Sequence, residues 1–229
     1  MLIAAAAPVG SRLVDSVHLV TAGEAVALKA AGADGVGQYL GSVTAAGVQA
    51  ITDAGLGFVP YTYADAWDGP KTVAELVALG VPKGVVVVLD VEGLAATLGA
   101  AYVIGRINAW AEALSAAAFV PALYVGAGCL LSSDELEALA VFRYGKGMSR
   151  LVDRNGELAE PSSGWAFVQA YPSGQCGGVL VDFNIVGTDY KRRPLIWSVT
   201  EREAPTLPGR KSSGTMPALG RRPTDPAPK

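Results

Sequence analysis

The chain has 229 residues, of which 51% are hydrophobic and 17% charged, with a formal net charge of −3. This composition suits a globular domain with a large core, and the absence of a long unbroken apolar run excludes a membrane-spanning chain. The two cysteines, Cys129 and Cys176, together with the single histidine, His18, argue against a structural zinc site.

Strand-like and helix-like runs alternate along the chain up to about residue 190. A capping box at Thr21 and Glu24 opens the first helix, and Pro70 lies in the first turn of the third. The predicted strands are 13–15, 35–40, 57–63, 85–91, 120–125, 141–144, 165–171 and 179–183. The predicted helices are 21–31, 44–54, 70–79, 95–118 and 133–139, with a Gly-rich loop over 145–164.

This alternation predicts the α/β class, with a parallel sheet and helices outside it. Eight strands favour a closed (β/α)8 TIM-type barrel over an open doubly wound sheet. Such barrels commonly run to about 250 residues. A barrel built from 13–197 is therefore expected to be short and irregular, with some late helices reduced.

The ends of the chain differ from this body. Residues 1–12 form an apolar N-terminal lead without a basic start, so no cleaved signal peptide is predicted. From residue 191 onward there are nine basic and three acidic residues, which leaves nine basic and 18 acidic residues before it. Residues 198–229 contain six prolines and no aromatic residue, and predict a disordered or extended basic arm. The arm is either a solvated tail or an anchor laid on a protein partner or an acidic polymer. It carries no nucleic-acid-binding motif.

The segment 84–93 contains the most informative pattern, a run of β-branched residues that ends in two carboxylates. Asp90 and Glu92 are two residues apart, so they project to the same face of a strand. They emerge at the carboxyl end of a parallel strand, which is where α/β folds place their chemistry.

Other polar residues lie at the ends of the predicted strands and would surround one mouth of a barrel. They are Asp15, Tyr39, Tyr61, Tyr63, Tyr124, Gln169, Tyr171 and Asp182. Carboxylates ringed by aromatic side chains suit sugars, and glycoside cleavage needs two carboxyl groups that flank the bond. The like charge of Asp90 would raise the pKa of Glu92, as a general acid requires. Taken singly, the same residues could be helix caps, rim packing or a turn.

Six short segments occur in the same order as in a known protein family, and together they span roughly residues 13 to 190 of this chain. They are LKAAGADGVGQYL (28–40), AGLGFVPY (54–61), VLDVE (88–92), ALYVG (122–126), WAFVQAY (165–171) and VDFN (181–184). The ordered set resembles the glycoside-hydrolase-like domain-of-unknown-function 1906 family, which is related to the lysozyme-type family 25 glycoside hydrolases. The first strand departs from the family's usual Gly-Phe-Asp opening, and 145–164 matches poorly.

The resemblance implies an irregular (β/α)8-type barrel whose site faces bacterial cell-wall glycan or a similar polysaccharide. By position, Glu92 would match the general acid. Asp90 and Asp182 would match carboxylates that stabilise the transition state or orient the substrate, and Asp15 the acidic residue after the first strand.

Two functional hypotheses follow. The first is a lysozyme-like glycoside hydrolase acting on peptidoglycan or a related glycan, with no metal or organic cofactor. Its sugar subsites would include Tyr39, Tyr61, Tyr63, Tyr124 and Tyr171. The second is a non-catalytic glycan-binding or structural module of a phage particle or cell surface, attached through the basic arm. A virion or envelope location would need a route without a signal peptide. A sugar-phosphate enzyme is disfavoured, because no Gly-rich phosphate loop occurs late in the chain.

Overall fold

The computed structural model of the chain describes residues 1–63, 66–94, 97–126, 130–139, 163–189 and 191–201. The helices are α1 (Ala22–Ala30), α2 (Ala45–Asp53), α3 (Gly69–Ala78), α4 (Ala100–Ala116) and α5 (Ser133–Glu137). The strands are β1 (Leu2–Ala6), β2 (Arg12–Ser16), β3 (Gly35–Tyr39), β4 (Gly57–Tyr63), β5 (Val86–Asp90), β6 (Val120–Tyr124), β7 (Ser163–Gly164), β8 (Phe167–Cys176), β9 (Val179–Val186), β10 (Thr188–Asp189) and β11 (Ile196–Thr200). The predicted strand 141–144, nearly all of the predicted loop 145–164, Cys129 and the arm beyond residue 201 lie outside the described residues.

A curled sheet forms the centre of the fold. Strands β2 to β6 are parallel and adjacent in chain order, as the alternating pattern predicts. Strand β9 then pairs antiparallel with β2, and β8 pairs antiparallel with β9. The described strands therefore form a half-barrel compatible with an irregular (β/α)8-type fold, and not a closed ring of eight parallel strands.

The antiparallel pair β8–β9 departs from the predicted parallel order for a local reason. Gly177 and Gly178 both have positive φ, at 55° and 85°, and they connect the two strands directly. Two consecutive residues with positive φ favour a tight hairpin, which leaves no room for a crossover helix. The strands consequently extend beyond the predicted 165–171 and 179–183, to Cys176 and Val186.

Strands β1 and β11 are far apart in sequence but pair antiparallel, from Leu2 opposite Thr200 to Ala6 opposite Ile196. Strand β11 also touches β4, at Ser198 opposite Phe58. The predicted N-terminal lead thus contains a strand, and the expected boundary after residue 197 falls inside β11.

Helix starts follow local capping chemistry. Thr21 and Glu24 form the predicted capping box of α1, and Thr44 and Asp68 accept backbone N–H groups at the starts of α2 and α3. These contacts satisfy donors that a helix end leaves unpaired. Helix α4 begins at Ala100, later than the predicted 95. In the part of the chain that the structure describes, no helix is both long and apolar enough to cross a membrane.

The alternation of side chains along the strands produces two apolar layers. One lies between the sheet and the helices and includes Phe58, Leu89 and Trp110. The other lies on the concave side of the sheet and includes Tyr61 and Trp197.

Glycines on two neighbouring strands shape the base of the concave layer. A Cβ on Gly35 would lie 2.6 Å from the Trp197 ring, and a Cβ on Gly57 would overlap the same ring. The indole therefore packs directly on the backbone of β3 and β4. This closes the amino-terminal end of the parallel strands and leaves the polar residues at their carboxyl ends.

Candidate functional site

Four acidic side chains meet at the carboxyl ends of the parallel strands. Asp15 and Asp90 lie at the ends of β2 and β5, and Glu92 follows two residues after Asp90. Asp182 lies on β9 directly opposite Asp15. The charges of Asp182, Asp90 and Glu92 all act on Asp15, so the structure brings together the four carboxylates that the sequence singled out.

Asp15 is buried as deeply as Asp90, and each has 7% of its surface exposed. Oδ2 of Asp15 accepts a hydrogen bond from Nδ2 of Asn184 at 2.6 Å. Burial raises the pKa of Asp15 to about 7, the Asn184 hydrogen bond opposes that rise, and the three like charges add to it. Asp15 therefore changes its charge near neutral pH.

Asp90 is held by two hydrogen bonds. Its Oδ2 accepts the Tyr39 hydroxyl at 2.8 Å, and its Oδ1 accepts the backbone N–H of Glu92 at 2.9 Å. Burial raises the pKa of Asp90, while both hydrogen bonds lower it by stabilising the carboxylate. The hydrogen bond from the Glu92 backbone N–H orients the Asp90 carboxylate. It also holds the backbone turn that places Glu92 after the strand.

Glu92 is exposed at the mouth, in the turn after β5. Its carboxylate lies against Gly126, two residues beyond the end of β6, where a Cβ would overlap Oε1 and Cδ. The charge of Glu92 reaches both Asp15 and Tyr124. Glycine at 126 therefore provides the space that this acidic side chain occupies.

Asp182 is half-buried and accepts a hydrogen bond from the Ser173 hydroxyl on the neighbouring strand β8. Its position opposite Asp15 follows from the antiparallel register between β9 and β2. Asp182 thus adds a second acidic group on the side of the mouth away from β5.

The aromatic residues divide into a buried set and an exposed one. Tyr39, Tyr61 and Tyr124 are buried, whereas Tyr63 is 41% exposed and stacks on Tyr39 with ring centroids 4.0 Å apart. Burial raises the pKa of each of the three buried tyrosines, so they remain neutral hydroxyl groups. Among the predicted sugar-binding tyrosines whose side chains the structure describes, Tyr63 is the one that presents a ring to solvent.

The other predicted contacts fall on the β6–β8 side. Tyr124 stacks on Phe167 with ring centroids 6.4 Å apart, and its hydroxyl contacts Oε1 of Gln169. The Tyr171 side chain lies outside the described part of the chain. Tyr124 and Gln169 therefore line the wall of the mouth.

Sequence reasoning missed two contributors to the site, Asn184 and Gly126. Asn184 is two residues from Asp182 on β9, so strand periodicity places both on the same face. That signal was available in the sequence. Gly126 had no such signal, because its role depends on the position of Glu92 on another strand.

The acidic groups do not form a metal site in the described residues, where no group of three or more His, Cys, Asp or Glu side chains could hold a metal ion.

Solved structures share this architecture. An uncharacterized protein from B. stearothermophilus is 20% identical with a TM-score of 0.58, covering 77% of this chain and 96% of that one. A bacterial lysozyme from Streptomyces coelicolor is 17% identical with a TM-score of 0.52, covering 80% and 94%. A family 25 glycosyl hydrolase from Bacillus anthracis is 14% identical with a TM-score of 0.52, covering 80% and 91%.

The chain shares its fold with family 25 glycoside hydrolases. No protein-family model and no curated protein matches the sequence. The more specific resemblance to the domain-of-unknown-function 1906 family is therefore not confirmed, and at these identities the likeness shows the fold alone.

Proposed function

We propose that this protein is a lysozyme-like glycoside hydrolase that acts on peptidoglycan or a related bacterial glycan. The observation that carries the proposal is the convergence of Asp15, Asp90, Glu92 and Asp182 at one mouth, beside the exposed ring of Tyr63. The likeness of the fold to lysozymes supports it. Glycosidases cleave the bond with a pair of carboxyl groups that flank it.

Glu92 is assigned the role of general acid. Glu92 is exposed at the mouth, so its carboxyl group can reach the oxygen of a bound glycosidic link. Asp15 is buried and less accessible to a substrate. Protonation of that oxygen releases the leaving sugar and leaves positive charge on the anomeric carbon.

The remaining carboxylates would stabilise this positive charge. Asp90 is oriented for the task by Tyr39 and by the backbone of Glu92, so its carboxylate needs little reorganisation as charge develops. Asp182 lies on the opposite strand and would orient the substrate or its attacking water. Asp15 adds a negative charge that develops as the pH rises through about 7.

Tyr63 would form the first sugar contact. Its ring is held by stacking on Tyr39, and a pre-positioned aromatic face binds the C–H face of a sugar at small entropic cost. Tyr124 and Gln169 would supply polar contacts on the other side of the mouth.

A second candidate function is a non-catalytic glycan-binding module within a phage particle or a cell-surface assembly. The Tyr39–Tyr63 stack favours it, because this platform could bind a sugar without any proton transfer. In that case the basic C-terminal arm would attach the module to its protein partner.

The test is the release of reducing ends from purified peptidoglycan and a panel of bacterial polysaccharides. Glu92→Gln should abolish release while retaining glycan pull-down. Glu75→Gln, which removes a half-buried carboxylate paired with Lys71 on α3, is the matched control and should keep full activity. If the unaltered chain binds glycan but releases no reducing ends, the hydrolase proposal is wrong and the binding module is favoured. If it neither binds nor cleaves glycan, both proposals are wrong.

A further inference from the structure

Among the described residues, the buried side-chain amide of Asn184, next to the acidic cluster, is hydrogen-bonded to a carboxylate. Asn184 is 1% exposed and is set by strand register between Leu13 of β2 and Gln169 of β8. Its Nδ2 donates to Oδ2 of Asp15, which is 169 positions away in the chain, at 2.6 Å. The contact therefore exists only in the folded protein, and it joins the two central antiparallel strands at the mouth.

Gln38 shows how a purely structural amide behaves in the same sheet. It is equally buried, its Oε1 accepts the backbone N–H of Val20, and its Nε2 donates to the carbonyl groups of Ser16 and His18. Both ends of that amide are satisfied by backbone. Asn184 differs, because its Oδ1 is buried and accepts no hydrogen bond from the residues that the structure describes. A buried oxygen left without a donor costs free energy, which a donor placed beside it would recover.

Burial and three neighbouring acids disfavour the negative charge of Asp15. The titratable groups that face it come from five strands and their ends, and they are Asp182, Asp90, Glu92, Tyr39, Tyr61 and Tyr124. Three of these are acids, and the three tyrosines are neutral. The Asn184 amide is the hydrogen-bond donor that favours the ionised form of Asp15.

We propose that Asn184 is a positioning residue that holds Asp15 in the acidic cluster and controls whether that side chain carries its proton. When Asp15 is ionised, Nδ2 of Asn184 donates to it. When Asp15 is protonated, rotation of the amide by half a turn presents Oδ1 as an acceptor for the new O–H group. Asn184 can thus hydrogen-bond to Asp15 in both protonation states.

The proposal is tested by NMR titration of the full chain, with Asp15→Asn used to assign the Asp15 carboxyl signal. In the unaltered protein, the Asn184 side-chain amide protons should shift with pH at the same midpoint as the Asp15 carboxyl carbon, near pH 7. In Asp15→Asn that shift should disappear. An Asn184 amide that ignores pH between 5 and 9 would overturn the proposal without requiring any variant of Asn184 to fold.

Substitution of Asn184 supplies the second measurement. Asn184→Leu removes the donor at similar volume and should raise the Asp15 midpoint by about one pH unit, since a hydrogen bond to a charged group is lost. Asn184→Ser, with a shorter side chain, should move it in the same direction if the leucine variant fails to fold. Gln38→Leu removes an equally buried amide and should leave the Asp15 midpoint in place. Equal shifts in both amide variants would show general loosening and would contradict the proposal.

This inference depends on the proposed function only for its consequence in catalysis. If the protein cleaves glycan, the limb of the pH–rate profile that follows Asp15 should move in Asn184→Leu by the same amount as the NMR midpoint. If it cleaves none, the titrations still decide the role of Asn184, so the failure of one proposal is distinguishable from the failure of the other.

Discussion

Replacement of Asp15 by Asn should stabilise the protein at neutral and alkaline pH. The pKa of Asp15 is raised from 3.8 to about 7 in the folded protein. Between these values the folded state binds more protons than the unfolded chain, so stability falls as pH rises through this window. The cost is absent below about pH 4, where both states are protonated, and is complete above about pH 7.

The size of the effect follows from that difference. Just over three pH units correspond to about 4 kcal/mol of unfolding free energy. The substituted side chain keeps an oxygen that can accept the Asn184 hydrogen bond, while some of the gain is offset by new polar groups in a buried position. We therefore expect Asp15→Asn to gain about 2–4 kcal/mol at pH 8, or roughly 4–16 °C in Tm, and little at pH 4.

Urea unfolding of both proteins at pH 4, 6 and 8 measures this difference directly. Asp53→Asn, an exposed carboxylate on α2, is the control and should change stability by less than about 0.5 kcal/mol at each pH. Burial also raises the pKa of Asp90, so some pH dependence should remain in Asp15→Asn. If Asp15→Asn and the unaltered protein lose equal stability between pH 4 and 8, the assignment of a proton to buried Asp15 is wrong.

Three further predictions concern the site and its base. Gly126→Ala should displace the Glu92 carboxylate and lower the rate of glycan cleavage on the order of 100-fold, while Tm changes little. A folded variant that cleaves at the full rate would contradict the position assigned to Glu92. Tyr39→Phe removes the hydroxyl that donates to Asp90 at 2.8 Å, so a carboxyl NMR titration should find the pKa of Asp90 raised further, and an unchanged midpoint would refute the contact. Trp197→Ala should cost about 3–5 kcal/mol in urea unfolding, because the buried ring packs on the strand backbone, and a loss below about 1 kcal/mol would show that the ring is dispensable.

The parallel part of the fold and the acidic cluster were predictable from periodicity. The strand predicted over 57–63 has those bounds in β4, and Asp90 with Glu92 emerges at a carboxyl end as expected. Local alternation suffices there, because each strand is buried on both faces and pairs with its neighbour in chain order.

The remaining features depend on partners distant in sequence. Strand β1 is a short run of apolar residues that becomes a strand by pairing with residues 196–200. The burial of Tyr61 depends on Gly37, since a Cβ there would lie 2.8 Å from the Tyr61 ring and 3.0 Å from the Asp15 Cβ. The missing side chain on β3 brings a tyrosine and an acid from flanking strands together, which no pattern within either strand reveals.

The two separate apolar layers set the outer surfaces of the helices apart from the acidic cluster. Substitutions on the outer surfaces of the helices do not reach the concave layer on which the acidic cluster rests. Gly105, exposed within α4, illustrates this, because a Cβ there would contact no atom within 4 Å. Alanine at this position should add up to about 1 kcal/mol through helix propensity. Several such substitutions combined would raise Tm while the geometry of the acidic cluster is kept.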